Sequence, residues 1–541
     1  MLSSPKIKIG VEREHAGALA FLISAVFLLH PIQTQAVDYI AQRFMSLASA
    51  LYLASVFFFI KSRLAESEKG IGHIHLFIYA LCVGIFAMFA KEISITLPIT
   101  VVLCEVCFLR GIGKYGFRKS MFFLSMLFVI PFMYGFFAGK GLKDLLGMLR
   151  MTTSYSLHDY FLTEIRVLVT YMRLLLLPVN QSICYDYSLI TTPFCPAFLF
   201  SASAILIFLA MGVKLFSRYR LVSFGIFWFF ITILPQSSFV VLQDLVFEHR
   251  VYLATAGYAF FGVGTLYYIF GKNKKTVILL AAYFLIIYSV MTFHRNFAWK
   301  NSLTLWDDAV RKFPHSYAAY QNRGVGYNMA GYPDRAFQDF NKAIEINPVS
   351  ALSYLNRGLI YFHRGNMEKA LEDDDKAIKL AEHYTIKTTG HINRALVWEK
   401  LGRDEKALDD YTSAIATDKN DVRAYNLRAR LYYKGNHLDE SFADADNAIK
   451  IDPLNFEAYV TRGNVFLSWK AYDKAINDYN KAISLNKNYA HAYKDRAIVY
   501  FLLGRYNESW NDVKNAQALG GVVPKDFLTE LKKASGQTTA I

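Results

Sequence analysis

The chain has 541 residues, of which 54% are hydrophobic and 16% aromatic, and its net charge is +15. This apolar content excludes an ordinary soluble enzyme of this length. Residues 1–300 contain 26 Lys and Arg against 13 Asp and Glu, whereas the rest contains 33 against 31. A basic excess between apolar segments follows the positive-inside rule, and the second half has no basic stripe that would bind nucleic acid. We therefore predict a membrane protein without a nucleic-acid partner.

The first half contains ten apolar segments, namely 16–29, 44–60, 73–90, 93–109, 120–138, 162–177, 194–212, 221–235, 251–270 and 276–293. Basic stretches at 61–72, 110–119, 213–221 and 271–275 should all face the cytoplasm, and ten crossings cannot satisfy this. The stretch 155–177 carries several charges, which cost about 2.5–3.5 kcal/mol each at a bilayer centre. Excluding it predicts a membrane domain over 1–295 with about nine crossings. The stretch 155–177 is then interfacial or re-entrant, and the second half lies outside the cytoplasm.

This topology places several polar segments on the non-cytoplasmic side. They are 30–43, Lys91–Glu92, 139–193 and 236–250. Polar and ionisable residues within an apolar body are costly and mark functional sites. The pattern therefore predicts a site at this face, and the alternative is that the loops serve as interfacial caps and anchors.

The second half repeats one pattern six times, with copies beginning at His315, Val349, Ile386, Asn420, Leu454 and Asn488. We refer to them as repeats 1 to 6. Each copy has Arg at position 9, Asp at position 25 and Ala at position 29. The pattern resembles the tetratricopeptide repeat, whose helix pairs stack into a protein-binding surface. We predict an all-α chain in which a polytopic membrane domain precedes a linker and half-repeat (296–314), six repeats (315–521), and a capping helix and tail (522–541).

The recurring Arg and Asp admit two interpretations. The arginines would suit an acidic peptide or a phosphate group. However, a charge that recurs with its opposite at a fixed offset is typical of a structural pair between the two helices of a repeat. We favour the structural pair.

Several motifs of the first half resemble the membrane-embedded glycosyltransferases of the GT-C class that carry C-terminal tetratricopeptide repeats. These are the transmembrane-and-TPR protein O-mannosyltransferases and their bacterial relatives. The motifs are HPIQTQAVDYIAQR (30–43), AKEISITLP (90–98), FLTEIRVLVTYMRLLLLPVN (161–180) with CYDY (184–187), and ILPQSSF with FEHRVYLATAG (233–257). The resemblance implies transfer of a sugar from a polyprenyl-phosphate carrier to protein hydroxyls, with the repeats binding the acceptor protein. It also implies a multi-pass protein of a bacterial inner membrane with periplasmic repeats.

Displacing a lipid phosphate requires cations for the departing charge and a carboxylate base for the incoming hydroxyl. The candidate carboxylates are Glu92, Asp186 and Glu248. The candidates for binding the lipid phosphate are Arg43, Lys91, Arg166, Arg173, His249 and Arg250. For each residue the alternative is an ion pair or a headgroup anchor. No cluster of His and acidic residues predicts a metal site, and the sequence identifies no cofactor.

One feature departs from the family pattern. The related enzymes carry an acidic catalytic motif in the first external loop, whereas here the first span leads directly into His30–Pro31. The chain is thus expected to lack the N-terminal catalytic-loop region. The alternative function is a non-catalytic, membrane-anchored scaffold for envelope protein complexes, and a less favoured one is a transporter of a lipid-linked sugar.

Overall fold

The computed structural model describes residues 12–38, 43–69, 74–110, 118–125, 156–185, 187–237, 245–271 and 273–536, with the backbone alone for Arg13, Asp38, Arg43, residues 66–69, Glu92, Gln236 and Lys274. It divides into two compact units, Met1–Arg323 and Gly324–Ile541. The described residues are helices and connecting loops without a strand, so the predicted all-α fold class is confirmed. The candidate span 120–138 lies largely outside the described residues.

The first unit consists mainly of apolar helices. Their bounds are Arg13–Leu29, Thr34–Asp38, Arg43–Lys69, Ile74–Ala90, Leu97–Cys104, Leu157–Leu176, Pro196–Leu215, Arg220–Ile233, Ala254–Phe270, Lys274–Ala298 and Ser302–Lys312. Short 3-10 segments lie at Pro31–Gln33, Glu92–Thr96, Leu234–Gln236 and Glu248–Val251, and a π segment at Glu105–Leu109. These segments break the apolar runs at their polar residues.

Among the described residues of this unit, three helices are long and apolar enough to cross a membrane: Phe44–Ala65, Pro196–Leu215 and Lys275–Ala298. The pair Glu14–Leu29 and Pro31–Val37, bent by 49°, would add a fourth, and shorter apolar helices lie at Ile74–Ala90, Ile93–Leu109 and Arg220–Ile233. The charged helix Leu157–Leu176 does not meet this criterion. The nine crossings stay a prediction.

Two glycines allow a close crossing of two helices in the first unit. A methyl group at Gly225 would lie 2.5 Å from the carbonyl oxygen of Gly257, and one at Gly257 would lie 2.6 Å from that of Gly225. The backbones of Arg220–Ile233 and Ala254–Phe270 therefore touch at this point, as small residues allow in membrane helix pairs. The Trp228 indole N–H also donates to the carbonyl of Leu253 at 3.0 Å. These contacts fix the chain just after Glu248–Val251.

A buried ion pair joins two further segments. Arg63 donates to both carboxylate oxygens of Glu105, from Nε at 3.0 Å and from Nη2 at 2.9 Å. The pair therefore joins the helix Arg43–Lys69 to the segment that begins at Glu105. Since Glu105 begins the π segment, the pair also coincides with the point at which the α-helix Leu97–Cys104 ends.

The repeats are pairs of helices of 13 to 17 residues. Their bounds are Tyr317–Met329, Pro333–Ile346, Ala351–His363, Met367–Leu380, Tyr384–Lys400, Asp404–Thr417, Val422–Lys434, Leu438–Ile451, Phe456–Ser468, Tyr472–Leu485, Ala490–Leu502 and Tyr506–Ala518. A last helix, Lys525–Ser535, buries Leu531 in a cluster with Trp510 and Val513. The apolar stripe of each helix thus packs on the next.

The recurring charges pair within each of repeats 2 to 6. In repeat 4, Arg428 donates to Asp444 from Nε at 2.7 Å and from Nη2 at 2.8 Å, and repeats 2, 3, 5 and 6 have the same two-pronged geometry. In repeat 1, Arg323 pairs with Asp307. The predicted structural pair between the two helices of a repeat is confirmed for repeats 2 to 6.

Candidate functional site

Polar loops of the first unit converge on the segment Glu248–Val251, which we call the buried turn. All four of its side chains are buried. The segments Pro31–Gln33 and Thr34–Asp38 contact it, and the backbone N–H of His249 donates to Gln35 Oε1 at 2.8 Å. The segments 31–38 and 248–251, which are more than 200 residues apart in the sequence, therefore lie together inside an apolar unit. We call this region the polar layer.

Glu248 holds a third segment against this turn. Its Oε1 accepts hydrogen bonds from the Tyr185 hydroxyl at 2.6 Å and from the backbone N–H of Ser182 at 2.8 Å. Burial raises the pKa of Glu248, and the positive charge of Arg295 opposes this effect. Because Glu248 is fully enclosed, its carboxylate positions the segment 182–185.

An ionic network extends from Glu248 to the helix Ser302–Lys312. Arg295 Nη2 lies 3.7 Å from Glu248 Oε2, and Arg295 Nη1 donates to Asp308 at 2.9 Å. Lys312 donates to Asp308 at 2.7 Å and to the carbonyl of Gln181 at 2.6 Å. The network thus closes on the residue that precedes Ser182.

Arg250 forms the second ion pair of the buried turn. Its Nη1 lies 3.3 Å from Glu164 Oε1 and 3.0 Å from the carbonyl of Leu245, and both charged side chains are buried. Burial raises the pKa of Glu164 to about 7, against the lowering effect of Arg250. The pair fixes the charged helix Leu157–Leu176 to the buried turn.

His249 lies beside Lys91. Burial lowers the pKa of His249 to about 3, and the charges of Lys91 and Arg250 add to the effect. The ring is therefore neutral at neutral pH, so it can offer a phosphate a hydrogen bond but no charge. Lys91 is half-buried and supplies positive charge on this side of the layer.

The other predicted phosphate ligands on the charged helix lie apart from the buried turn. Arg166 stacks 4.6 Å from the Tyr187 ring and reaches Ser188 at 3.5 Å. Arg173 is exposed, with Nη1 3.5 Å from the carbonyl of Val179. The structure therefore brings together Lys91, Glu248, His249 and Arg250, but not these two arginines.

Three predicted residues have no described side chain. Arg43 begins the helix Arg43–Lys69 and Glu92 begins the 3-10 segment Glu92–Thr96, while Asp186 lies outside the described residues. Glu92 nevertheless follows Lys91, and Asp186 follows Tyr185, which binds Glu248. The structure thus places their sequence neighbours Lys91 and Tyr185 at the polar layer.

Sequence reasoning missed the partners of the buried turn. The charges of 155–177, including Glu164, predicted only that this stretch is not a crossing. Arg295 was the predicted last residue of the membrane domain. A signal existed for Glu164, because Tyr160, Val167 and Tyr171 share its helical face and are buried with it. Arg295 lies in the last turn of an apolar helix, where a buried arginine requires an acidic partner.

The polar layer retains hydrogen-bonding capacity. Gln35 Nε2, Glu248 Oε2 and His249 Nδ1 are buried and have no hydrogen-bond partner within the described part of the chain. Buried polar atoms are normally satisfied by protein, water or ligand. Among the described residues, no group of three or more His, Cys, Asp or Glu is arranged to hold a metal ion.

Comparison with known proteins supports both halves of the chain. A TPR repeat model matches residues 463–504, and a tetratricopeptide repeat model matches residues 340–372. A protein O-mannosyl-transferase of Caenorhabditis elegans is 24% identical over 353 residues, which are 63% of this chain and 48% of that protein. The predicted resemblance is confirmed. The chain resembles a protein O-mannosyltransferase with tetratricopeptide repeats, and it spans about half the length of this curated relative.

Several solved structures resemble part of this chain. YrrB, described as a TPR protein with an unusual peptide-binding site, is 20% identical and covers 35% of this chain and 95% of its own, with a TM-score of 0.28. PilF of Pseudomonas aeruginosa is 22% identical and covers 34% and 84%, with a TM-score of 0.32. A tetratricopeptide repeat protein of Parabacteroides merdae is 20% identical and covers 41% and 99%, with a TM-score of 0.33.

Proposed function

We propose that this chain acts as a membrane protein glycosyltransferase that transfers a sugar from a polyprenyl-phosphate carrier to protein hydroxyls on the non-cytoplasmic side. The repeats would hold the acceptor protein, since arrays of this kind are protein-binding surfaces. The observation that carries the proposal is the polar layer around Glu248–Val251 in a chain that resembles an O-mannosyl-transferase. An apolar body that buries so many charged groups in one layer supports a site for polar chemistry.

We assign three roles to the residues of the layer and their sequence neighbours. Lys91 supplies charge for the departing carrier phosphate, and the neutral ring of His249 supplies a hydrogen bond. Glu92 and Asp186 are the proposed bases for the acceptor hydroxyl, because both adjoin residues of the layer. Glu248 is enclosed, so we assign it the role of holding the segment that leads to Asp186.

The remaining arginines are proposed to contact the carrier headgroup. Arg173 is exposed and Arg166 half-buried on the helix that Glu164 fixes to the buried turn. Arg43 lies five residues after Asp38, the last residue of a segment that contacts the buried turn. Arg250 already has a protein partner and serves to position the turn.

The test is intact-mass analysis of exported proteins from cells with and without the gene, and from cells carrying Glu92→Gln or Asp186→Asn. We expect hexose-sized increments that depend on the gene and fall by at least about 10²-fold in both variants, as loss of an acid–base group predicts. The matched control is Glu382→Gln, an exposed acid of the repeat unit, which should retain the increments. Increments that are identical without the gene contradict the proposal.

The scaffold function has one observation in its favour. Arg250 pairs with Glu164, and Glu248 Oε1 accepts hydrogen bonds from Tyr185 and Ser182 inside the protein, as structural charges would. A scaffold would co-purify with envelope proteins through its repeats while exported proteins kept the same mass without it. The same mass experiment therefore separates the two functions.

A further inference from the structure

The array has one irregular junction, between repeats 2 and 3. Consecutive copies begin 34 residues apart everywhere except here, where Val349 and Ile386 are 37 apart. The three additional residues are 383–385, and two of them begin the helix Tyr384–Lys400, which is the longest of the repeat helices at 17 residues. The same junction contains two further departures from the pattern.

The first departure is an acid at a core position. Position 26 of the other five repeats is apolar or aromatic and fully buried: Phe340, Tyr411, Ala445, Tyr479 and Val513. In repeat 2 this position is Asp374, which is only 1% exposed. Its Oδ1 has no hydrogen-bond partner within the described part of the chain. A carboxyl group thus occupies a position that the fold otherwise gives to an apolar side chain.

Glycines at position 10 indicate that position 26 has space for an aromatic ring. A methyl group at Gly324 would lie 2.7 Å from the Phe340 ring, and one at Gly463 would lie 2.8 Å from the Tyr479 ring. Repeat 2 keeps the corresponding glycine, Gly358, but a methyl group there would meet Asp374 Oδ1 at 3.0 Å. The space for a ring is therefore present, and the ring is replaced by a carboxyl group.

The second departure is a histidine at position 6. The other five repeats have tyrosine there: Tyr320, Tyr354, Tyr425, Tyr459 and Tyr493. In repeat 3 the residue is His391, which is 9% exposed and lies with Nδ1 3.1 Å from Asp410 Oδ1. A histidine thus contacts the aspartate that also binds Arg394.

The charges around Asp374 come from four helices. They are Arg357 of Ala351–His363, Asp373 and Asp375 of its own helix, His391 and Arg394 of Tyr384–Lys400, and Asp410 of Asp404–Thr417. Both arginines already have carboxylate partners. Arg357 binds Asp373, and Arg394 binds Asp410 and Asp375. Burial, followed by the charge of Asp373, raises the pKa of Asp374 to about 8.

We propose that the junction between repeats 2 and 3 is sensitive to pH. The two repeats pack stably on each other in mildly acidic solution, and this packing is destabilised as the pH rises. A buried acid with a raised pKa holds its proton more tightly in the folded than in the unfolded state, so its ionisation destabilises the fold. The loss begins above the ordinary range of an aspartate and is complete above about pH 8.

The test is amide hydrogen exchange of the full chain in detergent micelles between pH 6 and pH 9, corrected for intrinsic exchange and read by mass spectrometry. We expect protection in residues 367–400 to fall by about tenfold or more, since one unit of pKa corresponds to a factor of ten in the equilibrium. Residues 456–485 of repeat 5 serve as the reference within the same molecule and should show little change.

Variants separate titration from general weakening. Asp374→Asn and Asp374→Phe should both give a junction whose protection no longer depends on pH, and the phenylalanine should also raise the protection because it fills the space beside Gly358. Asp409→Asn, an exposed acid in repeat 3, is the control and should keep the response. A wild-type junction that follows repeat 5 at every pH, or an Asp374→Asn variant that keeps the response, overturns the proposal.

Discussion

Individual charged residues have different consequences in the two units. The pairs Arg250–Glu164 and Arg63–Glu105 are almost completely enclosed, so neither partner has access to water. In the repeats the paired arginines are 16–25% exposed. Removing one partner of a buried pair leaves an uncompensated charge, whereas a partly exposed partner can be hydrated. Single substitutions are therefore expected to be most damaging in the first unit.

Arg250→Met tests this difference. We expect a loss of about 3–5 kcal/mol of stability, because Glu164 would remain buried without its cation. The loss should be larger at pH 8 than at pH 6, since the pKa of Glu164 is raised to about 7 even with Arg250 present and ionisation of a buried acid is unfavourable. Thermal unfolding in detergent at the two pH values measures both effects.

The matching double variant supplies the control. Adding Glu164→Gln to Arg250→Met removes the isolated charge and should recover most of the stability at both pH values. If the double variant is as unstable as the single one, Arg250 stabilises the turn by packing and not by its charge.

Among the secondary-structure elements, the glycine crossing of Arg220–Ile233 and Ala254–Phe270 decides the position of the site. The buried turn ends three residues before the second of these helices begins. A change in the spacing of the two helices would therefore displace His249 and Arg250 directly. Small residues at one crossing thereby control the geometry of a polar layer in which they take no part.

Gly257→Ala should destabilise the protein by about 1–3 kcal/mol, because the added carbon would lie 2.6 Å from a backbone oxygen that cannot move independently. Gly262→Ala on the same helix is the matched control. Nothing lies within 4 Å of a methyl group there, and alanine favours a helix over glycine. We expect unchanged or slightly higher stability for this variant by thermal unfolding in detergent. Equal effects of the two substitutions would contradict the role of the crossing.

The sequence predicted the periodic elements and missed the distant pairs. Recurrence every 34 residues revealed the repeats and the Arg–Asp pairs, because both partners lie within one period. The positions of the basic stretches and the charges within 155–177 predicted that this stretch is not an ordinary crossing. Neither pattern carries information on Glu164 and Arg250, which are 86 residues apart, or on Gln35 and His249, which are 214 apart. Such contacts depend on how helices pack, and a single sequence does not show packing.

At the scale of the whole molecule, the two units are stabilised in different ways. The first unit relies on apolar helices and on a few enclosed charges, and the second relies on a regular array in which each repeat packs on its neighbours. The net charge follows the same division, since nearly all of the basic excess lies in residues 1–300. This distribution is the basis for the predicted membrane orientation.

Fusions test that orientation. Alkaline phosphatase fused after Ile541 should be active and green fluorescent protein at the same point should be dark, because the predicted topology places the repeats outside the cytoplasm. Fusions within the basic stretch 271–275 should give the opposite result and serve as the control. A fluorescent, phosphatase-inactive C-terminus would contradict both the nine crossings and the proposed enzyme.

The enclosed ion pairs also impose an order on biosynthesis. In two pairs of the polar layer the acid is made first: Glu164 is synthesised 86 residues before Arg250, and Glu248 is synthesised 47 residues before Arg295. A nascent chain that has not reached Arg250 carries an acid whose neutralising partner does not yet exist. A chain that stops before Arg250 therefore carries Glu164 without its partner, and one that stops before Arg295 carries Glu248 without that cation. Completion of the last apolar helix, which contains Arg295, supplies this second cation.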